Sequence, residues 1–145
     1  MKIISHRGNL DGKTIHENHP EYIERTLSQD FAVEIDVEID VWWIDDSGFW
    51  LGHDKPQYPV DEHYLENPRF WCHAKNIKGL FKMLDNNNIH CFFHQEDDVT
   101  LTSKGYIWTY PNKQLTDKSI AVLPKEFDKN LNCYGVCTDF VTRWI

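Results

Sequence analysis

Residues Val33–Val41 read VEIDVEIDV, so apolar and acidic side chains alternate with a period of two. This is the period of a β-strand, in which successive side chains point to opposite faces of the sheet. One face carries valine and isoleucine and suits contact with helices; the other carries Glu34, Asp36, Glu38 and Asp40. Four carboxylates in a confined interior repel one another and are costly to desolvate. The stretch therefore predicts either an edge strand with a solvated acidic face, or an interior strand whose charge is balanced by a cation or by Lys and Arg partners.

Strand-like and helix-like segments alternate on both sides of this stretch. An apolar pattern of i, i+3, i+4 and i+7 predicts a helix over residues 77–84. Asn18-His19-Pro20 predicts the start of an earlier helix. Short apolar runs predict further strands at Ile3–Ser5, Phe49–Gly52, Phe70–Ala74, Ile89–Phe93, Tyr106–Tyr110, Ile120–Leu123 and Tyr134–Thr138. Alternation of this kind predicts a parallel sheet with helices outside it.

The length of the chain limits the fold that this alternation can form. The 145 residues suit a single domain, residues 1–145, with one hydrophobic core. A regular TIM barrel takes about 250 residues, and the later connections, of about ten residues, hold only one or two helical turns. We expect an α/β fold: a compact or incomplete TIM (β/α) barrel of about seven to eight parallel strands with shortened helices.

Composition narrows the class of partner. A formal net charge of −8 argues against a nucleic acid, because phosphates are bound by stripes of Lys and Arg. No stretch has the length of a membrane span, and no signal peptide is recognisable, so we expect a cytoplasmic protein that is not integral to a membrane. An incomplete barrel exposes strand edges, which natural proteins usually cover, and a homo-oligomer would be one way to cover them.

Polar side chains follow several predicted strands at their carboxyl ends. His6-Arg7-Gly8 ends the first strand, and Gly52-His53-Asp54 ends the strand after the acidic one. Active sites of parallel barrels lie at these ends. A single histidine there is usually structural, but two histidines, an arginine and the pair Glu38 and Asp40 converging on one edge are hard to explain as packing. The pattern predicts an active site.

The ordered motifs His6-Arg7-Gly8, Glu17-Asn18, Glu38-x-Asp40, Gly48 and His53-Asp54 resemble the glycerophosphodiester phosphodiesterases. That family belongs to the TIM-barrel phosphodiesterases, which include phosphatidylinositol-specific phospholipase C. Later in the chain, Lys75 matches the lysine of the family's Glu-x-Lys, but His73 stands in place of the glutamate. Cys137-Thr138-Asp139-Phe140 is similar to the family's final strand. The resemblance implies a phosphoric diester hydrolase that acts on a small glycerophosphodiester-like molecule.

The resemblance also implies one divalent cation. Glu38 and Asp40 would bind it, and carboxylates favour Mg²⁺ or Ca²⁺. His73 is either a third ligand, which would shift the preference towards Mn²⁺ or Zn²⁺, or a hydrogen-bonded core histidine. Glu17 is either a further ligand or an acceptor that orients Arg7.

The same resemblance assigns the catalytic roles. His6 and His53 would be the general acid and the general base, in an order that stays open. Arg7 and Lys75 would bind the phosphoryl oxygens, Arg7 as a bidentate donor. The family's proposed course begins with attack by a neighbouring hydroxyl of the substrate.

Other strand ends offer weaker candidates. Trp108 would stack on a substrate or cover it. For His94, Glu96, Tyr110 and Lys125, which lie beside other strand ends, ordinary surface positions explain the pattern better. A catalytically inactive relative that binds a phosphorylated ligand or a protein partner is the alternative function. The histidine pair favours the enzyme, whereas His73 and the short chain favour the alternative.

Overall fold

The computed structural model describes all residues, Met1–Ile145. The strands are β1 (Lys2–His6), β2 (Ile35–Ile44), β3 (Gly48–Leu51), β4 (Tyr58–Val60), β5 (Phe70–Ala74), β6 (Cys91–Phe92), β7 (Val99–Leu101), β8 (Ile107–Thr109), β9 (Ser119–Val122) and β10 (Gly135–Thr138). The helices are α1 (Pro20–Leu27), α2 (Glu62–Leu65) and α3 (Ile77–Leu84), followed by a short 3-10 helix at Val141–Arg143.

All ten strands form one mixed sheet that curls into a half-barrel. Strands β6, β5, β2, β1, β10, β9 and β8 are parallel neighbours in that order. The hairpin β3–β4 adds to β2, and β7 adds to β8, both antiparallel. The rings of Phe92 in β6 and Trp108 in β8 lie 4.5 Å apart although these strands end the parallel run, so the sheet is strongly curled.

The expected parallel TIM (β/α) barrel is therefore wrong. Three strands are antiparallel, and no α-helix lies between β6 and β10. The physical reason is connection length: antiparallel strands can be joined by a tight turn, as at Asp45–Ser47, whereas a parallel crossover needs a dozen or more residues to include a helix. In this short chain, hairpins and loops take the place of most of the expected helices.

Strand β2 is the centre of the fold, and its period of two is confirmed. Val37, Ile39 and Val41 face outward and pack in a core cluster with Ile23 of α1 and Met83 of α3. The acidic residues of the strand face the concave side. An edge strand with a solvated acidic face is thus excluded, since β2 pairs with β1 and then β3 along one side and with β5 along the other.

The concave side is filled at one end and polar at the other. Ile4, Trp71, Phe92, Trp108, Ile120, Val122 and Cys137, drawn from six strands, form one buried cluster. Asp36 borders it and is satisfied by the indole N–H of Trp71 at 2.9 Å and by Lys2 at 3.2 Å. This apolar plug leaves only the carboxyl end of the strands for a site.

Helix α3 forms where its apolar period predicts it, but the buried side differs. Gly79 and Met83 are buried, whereas Ile77, Phe81 and Leu84 are exposed. A Cβ at Gly79 would lie 3.3 Å from the carbonyl oxygen of Val41, so the glycine allows the helix to approach β2 closely. No helix of the chain has the length and apolar character that a membrane crossing requires.

Gly52 holds the end of β3 against the site, and we expect its replacement to be costly. A Cβ there would lie 2.0 Å from the carbonyl oxygen of Lys55. Gly52→Ala should lower the free energy of unfolding by about 3 kcal/mol in urea titrations. Gly105→Ala is the matched control: it also has a positive φ, +87°, but open space around it, and should cost only about 1 kcal/mol. Equal losses would contradict this reading.

Candidate active site

The register of the parallel strands gathers the polar residues at one edge. His6 at the end of β1 is the register partner of Glu38 in β2, and Asp40 is the partner of His73 in β5. Lys75 follows β5, and His53 follows β3. The carboxyl ends of parallel strands meet at the same edge, and with the end of β3 four chain segments contribute to one cluster.

His6 and Asp139 form a buried dyad. The Nδ1 atom of His6 lies 2.8 Å from Oδ1 of Asp139. The same oxygen accepts a hydrogen bond of 2.8 Å from the side-chain amide of Asn9, and that amide also donates to Glu17 at 2.7 Å. Tyr22 donates to the other end of Asn9. Asp139 is thus fixed by two donors and lies directly after β10.

The dyad sets the tautomer of His6. Burial opposes ionisation of both groups, but the His6–Asp139 hydrogen bond, the Asn9 hydrogen bond to Asp139 and nearby charges together outweigh it: the pKa of Asp139 is lowered and that of His6 is raised. An ionised carboxylate can only accept, so Nδ1 of His6 carries the hydrogen. The other nitrogen, Nε2, is left facing Oε2 of Glu38 at 3.7 Å.

Arg7, Asp40 and His53 form a second contact group. Nε of Arg7 lies 2.9 Å from Oδ2 of Asp40, and Nη2 lies 2.6 Å from Nδ1 of His53. A guanidinium only donates, so Nδ1 of His53 is the acceptor in this contact. Burial would raise the pKa of Asp40, but the hydrogen bond that His53 donates when its ring is protonated, and the nearby charge of Arg7, hold it well below its ordinary range.

The backbone conformation of Arg7 directs its side chain towards Asp40 and His53. Arg7 has a φ of 57° and Asn18 one of 66°, a left-handed conformation that is uncommon for residues other than glycine. The backbone N–H of Asn18 donates to the carbonyl of Arg7, and its side chain makes two hydrogen bonds of 2.9 Å with Asp40. Such backbone strain clusters at functional sites, where the surrounding contacts hold it.

Glu38, Asp40 and His73 could hold a metal ion. Their ligand atoms all lie within 4.8 Å of one another. Oε2 of Glu38 and Oδ1 of Asp40 are buried and have no hydrogen-bond partner. A buried carboxylate oxygen without a partner is costly unless a cation compensates it. The residues present therefore fit a divalent cation.

The orientation of His73 fits the same purpose. Its Nε2 donates to the backbone carbonyl of His94 at 2.9 Å, and its ring stacks on Phe92. Nδ1 then has its lone pair free and lies 3.7 Å from Glu38 and 3.6 Å from Asp40. Metal-binding histidines are commonly fixed in this way by a hydrogen bond from the other ring nitrogen. A purely structural role for His73 would explain the hydrogen bond of Nε2, but not why Nδ1 faces the carboxylates of Glu38 and Asp40.

Glu17 belongs to a different group. It lies with His6 and Asp139 in a second acidic cluster, whose members are already joined through Asn9 and the dyad. Its other oxygen lies 3.8 Å from Nη1 of Arg7. Of the two sequence-based alternatives for Glu17, the geometry favours the acceptor that orients its neighbours.

Of the remaining predicted residues, Lys75 lies beside the cluster and Trp108 does not. Nζ of Lys75 lies 4.0 Å from Oδ1 of Asp40, at the edge of the cluster. Trp108 is not at the surface of the site: it is 3% exposed and packs in the apolar plug against Phe92 and Trp71. Its register partner in β9 is Ile120, so the indole lies on the concave face within the plug, and the expected stacking on substrate is wrong.

Sequence reasoning gave no role to Asp139, Asn9 or Asn18. Asp139 lies 133 residues from His6, and its only sequence signal was the similarity of Cys137-Thr138-Asp139-Phe140 to the final strand of the resembled family. No protein-family model, curated protein or solved structure matches this chain. The geometry of the site itself must therefore support any assignment of function.

Proposed function

We propose that this protein is a metal-dependent phosphoric diester hydrolase acting on a small glycerophosphodiester-like substrate. The observation that carries the proposal is the buried His6–Asp139 dyad, which leaves Nε2 of His6 beside the carboxylates of a cation site. A histidine oriented by a carboxylate and a cluster able to hold a metal are the parts that phosphodiester cleavage requires. The ordered motifs that resemble the glycerophosphodiester phosphodiesterases point to the same substrate class.

His6 acts as the general base. Asp139 holds the hydrogen on Nδ1, so Nε2 is the atom that can take a proton from the attacking oxygen. Asp139 also stabilises the imidazolium that forms. The raised pKa of His6, caused by the dyad and by Glu38 against the effect of burial, keeps the imidazole a competent base.

His53 acts as the general acid. It is the more accessible histidine, with 43% of its side chain exposed, as a group meeting a departing alcohol must be. The protonated ring donates from Nδ1 to Asp40, whose Oδ2 lies 3.5 Å away, instead of accepting from Arg7. Arg7 is then free to donate to the phosphoryl oxygens, and Lys75 adds a second positive charge.

Glu38, Asp40 and His73 would hold the cation. Once bound, it would polarise a phosphoryl oxygen as a Lewis acid and neutralise charge on the phosphate. Two carboxylates and one imidazole form a donor set that suits Mn²⁺ or Zn²⁺ better than an all-oxygen set would, although Mg²⁺ and Ca²⁺ stay within reach of its oxygens.

An activity screen of metals against substrates tests the proposal. We expect purified protein to hydrolyse glycerophosphodiesters with one of Mg²⁺, Ca²⁺, Mn²⁺ or Zn²⁺, and His53→Ala to lower the rate by about 10²-fold or more. A substrate that lacks the hydroxyl next to the phosphodiester separates attack by that hydroxyl from attack by water. Absence of turnover with every metal, alongside tight binding of a phosphorylated ligand, would instead favour the inactive binding protein.

A further inference from the structure

A cavity lies next to the dyad, at the carboxyl ends of β9 and β10. Its volume is about 330 Å³, within the usual range for small-ligand pockets. Asp139 belongs to its wall, and so does Thr138 before it. The other residues that matter here are Lys13, Lys125, Arg143, Phe127, Phe140 and Trp144. We call this cavity the basic pocket.

The basic pocket carries concentrated positive charge. Lys13, Lys125 and Arg143 are all exposed, and none of them forms an ion pair with a carboxylate within 4.0 Å. The only carboxylate on its wall is Asp139, which is already bonded to His6 and Asn9. In a chain with 15 Lys and Arg against 23 Asp and Glu, three cations without an ion pair around one cavity give it a positive potential that favours an anion.

Carbon surfaces line the rest of the cavity. The guanidinium of Arg143 lies over the ring of Phe140 at 4.1 Å, which holds the cation in place. The rings of Phe127 and Trp144 pack edge to face at 4.9 Å. A pocket with a cationic rim and aromatic walls fits the carbon chain of an alcohol that ends in an anionic group.

The basic pocket and the active site open on the same edge. Lys125 and Asp139 follow β9 and β10, and Lys13 lies in the loop after β1. These strands are parallel neighbours, so their carboxyl ends share the edge that holds His6. Lys13 is close enough to Asp139 to contribute to lowering the pKa of that carboxyl. Asp139 therefore belongs both to the dyad and to the wall of the basic pocket, so the two sites adjoin.

We propose that the basic pocket binds a second anionic group, a carboxylate or a phosphate, carried by the alcohol part of the phosphodiester. This identity of the ligand rests on the proposed hydrolase function, whereas anion binding by the pocket does not. The substrate class becomes a phosphodiester with a negative charge beyond the scissile phosphate.

Anion binding is tested with inorganic phosphate by NMR on the metal-free protein. We expect the backbone amides of Lys125 and Phe140 to shift on titration, separately from those around Arg7. Lys125→Gln should weaken the titration of these amides about threefold to tenfold, and added salt should weaken it further. Lys118→Gln, another exposed lysine without an ion pair, is the matched control and should change nothing. Unshifted pocket amides, or equal effects of the two variants, would overturn the proposal.

The substrate class is tested with a matched pair of glycerophosphodiesters whose alcohol carries either a carboxylate or its carboxamide. We expect the carboxylate to bind about tenfold more tightly in calorimetry, a preference that Lys125→Gln reduces and Lys118→Gln retains. Equal affinities would overturn the assignment of the substrate class. A carboxylate preference without hydrolysis of either compound would retain the pocket and refute the hydrolase, so the two proposals fail separately.

Discussion

Replacing His6 by alanine is expected to lower kcat for a glycerophosphodiester by about 10²- to 10⁴-fold, the usual contribution of a general base. The Michaelis constant should change little, because Nε2 of His6 interacts with the attacking oxygen mainly in the transition state. No other imidazole can substitute: His53 is already used as the general acid, and His73 is held at the carbonyl of His94. Steady-state kinetics with the activating metal measure both constants.

Asp139→Asn should be nearly as damaging, although Asp139 only positions His6. The amide of asparagine can donate to Nδ1 and select the wrong tautomer, which in histidine catalysis costs up to about 10⁴-fold. The downfield proton resonance of Nδ1–H should disappear in this variant, a signature that loss of packing alone would not give. The double variant should be little worse than the worse single one. Asp117→Asn, an exposed carboxylate, controls for net charge. Full activity of Asp139→Asn would remove the dyad from the mechanism.

The positions of most strands could be predicted from runs of apolar residues, but the hairpins could not. Strand β4 contains Pro59, which ordinarily argues against a strand, and tolerates it only because β4 is an edge strand. Strand β7 is three residues long and follows Asp97 and Asp98, so no period could develop. The sheet looked wholly parallel because these two pieces were missed and because β3, which was predicted, was taken as parallel although only a short turn joins it to β2.

Glu38 and Asp40 were predictable because a period of two determines which side chains share a face. The residues that surround these two carboxylates in the site were not predictable. Whether a third ligand comes from His73 or Glu17 depends on pairing between β2 and β5, and the tautomer of His6 depends on Asp139 at the far end of the chain. A histidine was also misjudged: His94, expected at an ordinary surface position, is buried, with its Nε2 2.5 Å from the backbone carbonyl oxygen of Asp97.

Glu38→Gln is expected to abolish the stabilisation of the protein by divalent cations. With free metal at about 100 times its Kd, a single native-state site raises the free energy of unfolding by about 2.7 kcal/mol. Glutamine keeps the shape of Glu38 but removes its charge, and a neutral amide is a poor ligand for a divalent cation. Thermal melts with Mg²⁺, Ca²⁺, Mn²⁺ and Zn²⁺ should therefore show no shift in this variant.

Without metal, Glu38→Gln is not expected to lower the free energy of unfolding. Oε2 of Glu38 has no hydrogen-bond partner and Asp40 lies on the same face, so neutralising Glu38 removes the cost of an uncompensated buried charge. The metal-free variant should be at least as stable as the metal-free parent. Asp36→Asn is the matched control: it lies two residues away on the same face but bonds to Trp71 and Lys2, so its response to metal should be retained. If Glu38→Gln responded to metal as Asp36→Asn does, the cation would have to lie elsewhere. A Glu38→Gln protein that lost stability without metal would show that Glu38 is compensated by His6 and His73 alone, which would leave the cluster without need of a cation.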